Sequence, residues 1–148
     1  MFKSKSKRYS RSSSYRDEYL KNNKGYKGNG YNYHCSYCGK KVTRKEMEVD
    51  HIFSVHSSRN KLSTRLLMKL FGITNVNEIK NLTSSCRACN RKKGKMGNGW
   101  IIPGFLGKSI WYHRFKTLVK IVVVLIIAYY AFKYFNILDF FSGSNKYF

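Results

Sequence analysis

The 148 residues predict a small α+β domain stapled by a four-cysteine zinc knuckle, with a hydrophobic helix behind it. Three observations lead there. Four cysteines fall as two C-x-x-C pairs, Cys35/Cys38 and Cys86/Cys89, with 47 residues between the pairs. An alternating stretch, "EMEVDHI", precedes a helix-spaced one, "SSCRACNRKKGK". A run of 21 mostly apolar residues, Leu118 to Leu138, follows.

Charge frames the rest. Lys and Arg number 29 against 7 Asp and Glu, a formal net charge of +22. That excess points to a polyanionic partner, either nucleic acid or an anionic membrane face. The opening "MFKSKSKRYSRSSSYR" has no apolar core of the kind a secretory signal carries. The cysteines are therefore expected reduced and available to metal, which sets aside a disulfide scaffold.

In chain order, residues 1–30 hold nine basic and two acidic residues and almost no aliphatics. A segment so poor in aliphatics is expected to stay a disordered basic tail, an arm for nucleic acid. Residues 31–98 form the cysteine-bearing domain. Gly39 permits the tight turn after Cys38. In "EMEVDHI", Met47, Val49 and His51 share one face of a short strand. Glu46 and Glu48 alternate with that face and read as solvated. In "LSTRLLMKLFG", Leu66, Leu67, Leu70 and Phe71 have helical spacing, Met68 and Phe71 read as core, and Gly72 stops the helix. "TNVNEIKNL" reads as a loop with a short ordered piece. Ser84 or Ser85 is placed to cap the last helix of the domain, and Gly94 to end it. Residues 99–117 form an amphipathic connector, 118–138 the hydrophobic helix and 139–148 a short tail.

Two C-x-x-C pairs are a strong signal for a tetrahedral zinc site. Four thiolates from Cys35, Cys38, Cys86 and Cys89 close the shell, so the Zn²⁺ is structural. His34 adjoins the first pair and reads as a bystander. On a helix Cys86 and Cys89 share a face, and Asn90 lies about 100° round from Cys89.

The residues "CSYC…VDHI…NL…CRACNRKKGK" resemble the HNH endonuclease family in its zinc-stapled form, over about two fifths of the chain. The resemblance implies a ββα-metal fold, a two-stranded ribbon and one helix clasping a divalent cation, and cleavage of phosphodiester bonds in DNA. It matches His51 to the general base, Asp50 to a metal ligand and Asn90 to the second protein ligand. It matches Asn81 to a residue that braces the loop presenting His51. The sequence departs from the family at "FSVHSSRN", where relatives carry Pro and a Gly pair, and in a longer insertion from Ser57 to about Asn75.

The chemistry also follows from the residue types. Phosphodiester hydrolysis needs an activated water, in-line placement and a cation for the charge that builds on the leaving oxygen. An imidazole with an unperturbed pKa of about 6.5 can take a proton from water at neutral pH. A carboxylate and an amide oxygen suit Mg²⁺ or Mn²⁺. Adjacent residues on an ideal strand face opposite ways, so the strand is expected to end or distort at Asp50-His51. Arg91, Lys92, Lys93 and Lys95 are expected to hold DNA phosphates. His56 reads as an exposed loop residue and His113 as inert. The competing readings of the whole are a zinc-knuckle module that binds nucleic acid without cutting it and a membrane-surface structural protein that uses its charge on anionic lipids.

For 118–138 three readings compete. A membrane anchor is favoured by Trp111, Tyr112, Tyr129, Tyr130 and Tyr134 near the two ends of the run, with Lys120 and Lys133 able to snorkel. Lys108, Arg114 and Lys116 ahead of it would keep the nuclease domain cytoplasmic under the positive-inside rule. A packed helix is favoured by the short charge-free stretch, 12 residues from Ile121 to Phe132. β-Structure is favoured by "IVVVLII" alone.

Overall fold

The computed structural model describes residues 7–94 and 98–143, and the side chains of all of these except 98 and 136–143. The chain divides into two units, Met1–His113 and Arg114–Phe148.

In the first unit, helix α1 (Tyr15–Asn22) precedes strands β1 (Asn32–His34) and β2 (Lys41–Thr43), which pair antiparallel around the first cysteine pair. The turn closes because Gly39 N–H donates to the Cys35 carbonyl at 2.7 Å and Cys35 N–H to that of Lys40 at 2.8 Å. Gly39 sits at φ +79°, a conformation costly for residues with a Cβ. A Cβ there would also meet the His113 ring at 2.9 Å.

Strand β3 (Met47–His51) pairs antiparallel with β4 (Leu82–Cys86), in a register setting Met47 opposite Cys86 and His51 opposite Leu82. Helix α4 (Arg87–Lys93) follows directly and packs back on both strands. Between the strands lie α2 (Val55–Asn60), α3 (Leu62–Leu70) and a 3₁₀ turn, Ile79–Asn81. A second 3₁₀ turn, Asn98–Trp100, leads into α5 (Ile101–Leu106). The first core joins Tyr19, Tyr33, Val42, Met47, Val49 and Leu82. The second joins Ile52, Phe53, Met68, Ile73, Val76 and Ile101.

Several expectations need correction. The N-terminal residues are not a disordered tail from residue 7 onward; residues 1–6 lie outside the described residues. Tyr19 is 3 % exposed inside the first core, and Arg16 donates from Nη1 to the Met47 carbonyl at 2.9 Å. Tyrosines supply the apolar area that the missing aliphatics do not, each carrying about 150–250 Å². The helix cap is neither Ser84 nor Ser85, because β4 runs through both. Cys86 takes the position, its sulfur accepting from Cys89 N–H at 3.5 Å. Within "FSVHSSRN", Val55–Asn60 is helical rather than loop, capped by Ser54 Oγ, which accepts from Ser57 N–H at 3.1 Å. In α3 the buried residues are Thr64 and Met68, while Leu66 and Leu70 are exposed. Phe71 is also exposed, and stacks on Phe105 at 4.8 Å instead of entering the core.

Helix α6 (Ile110–Gly143) begins eight residues before Leu118, because no Gly or Pro interrupts Ile110 to Ser142. Its stretch Ile110–Phe135 is long and apolar enough to cross a membrane. At roughly 1.5 Å per residue those 26 residues span about 39 Å, more than a bilayer's hydrocarbon core.

Candidate functional site

The β3–β4 ribbon has two chemically distinct ends. At the Met47↔Cys86 end, the sulfurs of Cys35, Cys38, Cys86 and Cys89 all lie within 4.8 Å of one another. Cys38 Sγ and Cys86 Sγ are 4.0 Å apart. Four thiolates around a tetrahedral Zn²⁺ at about 2.3 Å stand about 3.8 Å from each other, so the cluster fits such an ion. Burial pushes the Cys35 thiol up to about 11, and burial followed by the Cys35 charge pushes Cys89 up as well. A bound divalent cation reverses that preference by taking the thiolates. The hairpin carrying the first pair is docked on β4 by Ser36 N–H to the Ser84 carbonyl at 2.9 Å and Ser84 Oγ to the His34 carbonyl at 2.7 Å. His34 turns its Nε2 to the Gly107 carbonyl at 3.0 Å, away from any ligand role.

At the other end, Asp50, His51 and Asn90 line one cavity of about 630 Å³. Asp50 and Glu48 alternate with Met47 and Val49 and so occupy the opposite face of β3. His51 is the last residue of the strand, where the chain turns into the Ile52–Phe53 loop. Asn81, fully buried, fastens that loop. Its Oδ1 accepts from Phe53 N–H at 2.8 Å, and its Nδ2 donates to the carbonyls of Phe53 at 3.2 Å and Val76 at 2.7 Å.

The state of His51 follows from its neighbours. Its Nε2 meets Asn77 Oδ1 at 3.3 Å. Asn77 spends its amide group as a donor, to the Ser10 carbonyl at 2.8 Å and Asn75 Oδ1 at 3.2 Å, so its oxygen faces the imidazole as an acceptor. The proton therefore sits on Nε2 and the lone pair on Nδ1, which is buried with no hydrogen-bond partner among the described residues. Burial pulls the imidazole down to about 4, and the ring is neutral at pH 7. Tyr15 packs on it, ring centroids 4.9 Å apart.

Asp50 is held from two sides. Tyr37 Oη donates to its Oδ2 at 2.5 Å, and Lys93 Nζ lies 2.6 Å from the same oxygen. Lys93 also donates to the His51 carbonyl. Oδ1 is the carboxylate oxygen these donors leave. Burial lowers the Lys93 ammonium and the Asp50 charge supports it. Burial and then Asp50 push the Tyr37 hydroxyl well up, so it stays a donor. Asn90 Nδ2 donates to Glu48 Oε2 at 2.5 Å, which leaves the amide Oδ1.

Lys93 is thus the clear departure among the expected DNA contacts. It is 1 % exposed and tied to Asp50, because it lies on the inward face of α4 with Cys86 and Cys89 at i, i+3 and i+7. Arg91 and Lys92 are exposed on the same helix, and Lys95 lies outside the described residues. Glu48 is not a solvated side chain, since it accepts from Asn90, and the sequence assigns no role to Tyr37 or Asn77. Glu48 had a signal, since it shares the strand face of Asp50 two residues on. Tyr37 sits inside a cysteine pair and Asn77 in a loop, and neither carried one.

No protein-family model, curated protein or solved structure matches the chain.

Proposed function

We propose that the first unit is an HNH-type, ββα-metal endonuclease that hydrolyses phosphodiester bonds in DNA, anchored to a membrane by α6 with the nuclease domain on the cytoplasmic side. The observation that carries this reading is the convergence of Asp50, His51 and Asn90 on one cavity, with an imidazole whose Nδ1 lone pair has no partner among the described residues.

In this reading His51 Nδ1 takes the proton of the attacking water, and Asn77 fixes the tautomer that makes this atom the base. Asp50 Oδ1 and Asn90 Oδ1 are the two protein oxygens that would hold Mg²⁺ or Mn²⁺, a donor set suited to a hard cation. When bound, such an ion supplies charge stabilisation for the leaving oxygen. Lys93 and Tyr37 hold Asp50 in place, and Glu48 orients the Asn90 amide. The cysteine cage fixes the start of α4, so that Asn90 projects from a rigid element. Lys108 before α6, with Arg114 and Lys116 in its first two turns, supports the orientation of the anchor.

One observation favours the competing reading of a non-cutting binding module. Lys93 already neutralises Asp50, so the carboxylate has a counter-charge without any metal. Supercoiled plasmid discriminates the two. With Mg²⁺ or Mn²⁺ the chain nicks it, and His51→Ala slows nicking by about two to four decades while zinc content and melting stay as in the parent. Retention of plasmid with no cutting under either metal decides for the binding module.

A further inference from the structure

We propose that the N-terminal segment builds an anion site into the same cavity, in which Arg11, with Arg59 and His56, binds the backbone phosphates of the nucleic acid. The location of the scissile phosphate rests on the nuclease reading above; the binding itself does not.

Charge comes first. Among the described residues, the cavity wall carries Arg11, Arg59 and Asp50 as its charged residues, with His56 beside them. Lys93 cancels Asp50 from behind at 2.6 Å. The side formed by Arg11 and Arg59, which the Arg59 bond to Ser10 holds together, therefore favours an anion, apart from the Asp50 and Asn90 oxygens. Its volume of about 630 Å³ is of the size that takes a small ligand or a nucleotide-sized piece of a chain.

The segment carrying Arg11 is also built in rather than draped. Asn77 clasps the backbone on both sides of Arg11, donating from Nδ2 to the Ser10 carbonyl at 2.8 Å and accepting at Oδ1 from Ser12 N–H at 3.0 Å. The same Oδ1 faces His51 Nε2, so one side chain registers Arg11 against the imidazole. Arg59 Nη2 donates to Ser10 Oγ at 3.1 Å, tying the second arginine to the residue before the first. The Arg11 guanidinium stands 5.4 Å over the Tyr15 ring, which itself packs on His51. Farther along, Val76 N–H donates to the Arg8 carbonyl at 3.1 Å and Arg16 holds the Met47 carbonyl at 2.9 Å. A guanidinium pre-set in this way presents a planar fork to phosphate oxygens that a lysine does not reproduce.

The test uses the full chain in maltoside micelles, which contain no phosphate, and a fluorescein-labelled 20-base-pair duplex without added divalent metal. Binding is read by anisotropy across a salt series, next to single-turnover cleavage with Mg²⁺ or Mn²⁺. Arg11→Ala and Arg59→Ala are each expected to weaken binding about five- to tenfold, and each to reduce the magnitude of the salt slope by about 1. Arg11→Lys restores the slope but not the full affinity. Zinc content and melting, unchanged from the parent, show that the fold is kept. Arg11→Ala binding with the parent's affinity and slope overturns the proposal, whether or not DNA is cut. A parent that binds with this Arg11 dependence but never cuts removes the nuclease reading and leaves the anion site standing.

Discussion

The two ends of the β3–β4 ribbon, whose strands are five residues long, present opposite donor chemistries. One end gathers four sulfurs, soft ligands that leave no position for a substrate. The other gathers a carboxylate, an amide and an imidazole around an open cavity. The cage holds α4 where it starts, and Lys93 holds it where it ends, against Asp50 and the His51 carbonyl. A short helix pinned at both ends positions Asn90 between them. On the proposed reading one end holds the fold and the other does the chemistry, so substitutions at the two ends should fail in different ways.

The largest effect is expected at the cage. Cys86→Ser or a zinc chelator removes a contribution of about 10 kcal/mol, the scale of structural zinc in small domains, and unfolds the first unit. Circular dichroism and metal content should fall together. Retention of a cooperative melt without zinc would break the comparison, because the fold would not need the sulfur end.

Next is Lys93→Met, which leaves the Asp50 carboxylate buried without its partner and costs about 3–5 kcal/mol of stability. The double variant with Asp50→Asn should recover most of that in denaturant titration, since both charges leave together. Zinc content stays at the parent level, which distinguishes this loss from one at the cage.

Asn81→Ala removes the acceptor for Phe53 N–H and the donors to two carbonyls. It should cost about 1–3 kcal/mol in the same titration and lower activity through a displaced His51.

The smallest effect is pH-dependent. The folded chain holds the His51 imidazole at about 4 through burial, whereas the unfolded chain protonates it at about 6.5. The unfolded state therefore takes up the proton first, and stability falls as pH drops from about 6.5 towards 4. Between pH 7.5 and 5.5 the parent should lose about 1 kcal/mol more than His51→Gln, in denaturant midpoints measured side by side.

What the sequence disclosed was mostly local. Cysteine spacing, the alternation of Met47 and Val49 and the stop at Gly94 each depend on neighbours within one turn or one strand. The burial of Lys93 was also readable, since positions 86, 89 and 93 form one helical face, but the run Arg91-Lys92-Lys93 reads first as a solvated charge cluster. The N-terminal segment was not readable, because its order depends on partners far along the chain, 31 residues away for Arg16 to Met47 and 65 for Ser12 to Asn77. The phase of α3 was misjudged for a related reason. Its leucines have helical spacing, yet the core lies on the Thr64 and Met68 side.

Convergence of Asp50 and Asn90 on one cation is tested by Mn²⁺ binding to the zinc-loaded chain, followed by electron paramagnetic resonance. One Mn²⁺ per chain is expected to bind, lost in Asp50→Ala and weakened in Asn90→Ala, with zinc content unchanged in both. Mn²⁺ that does not bind, or that binds equally well to Asp50→Ala, would contradict that convergence.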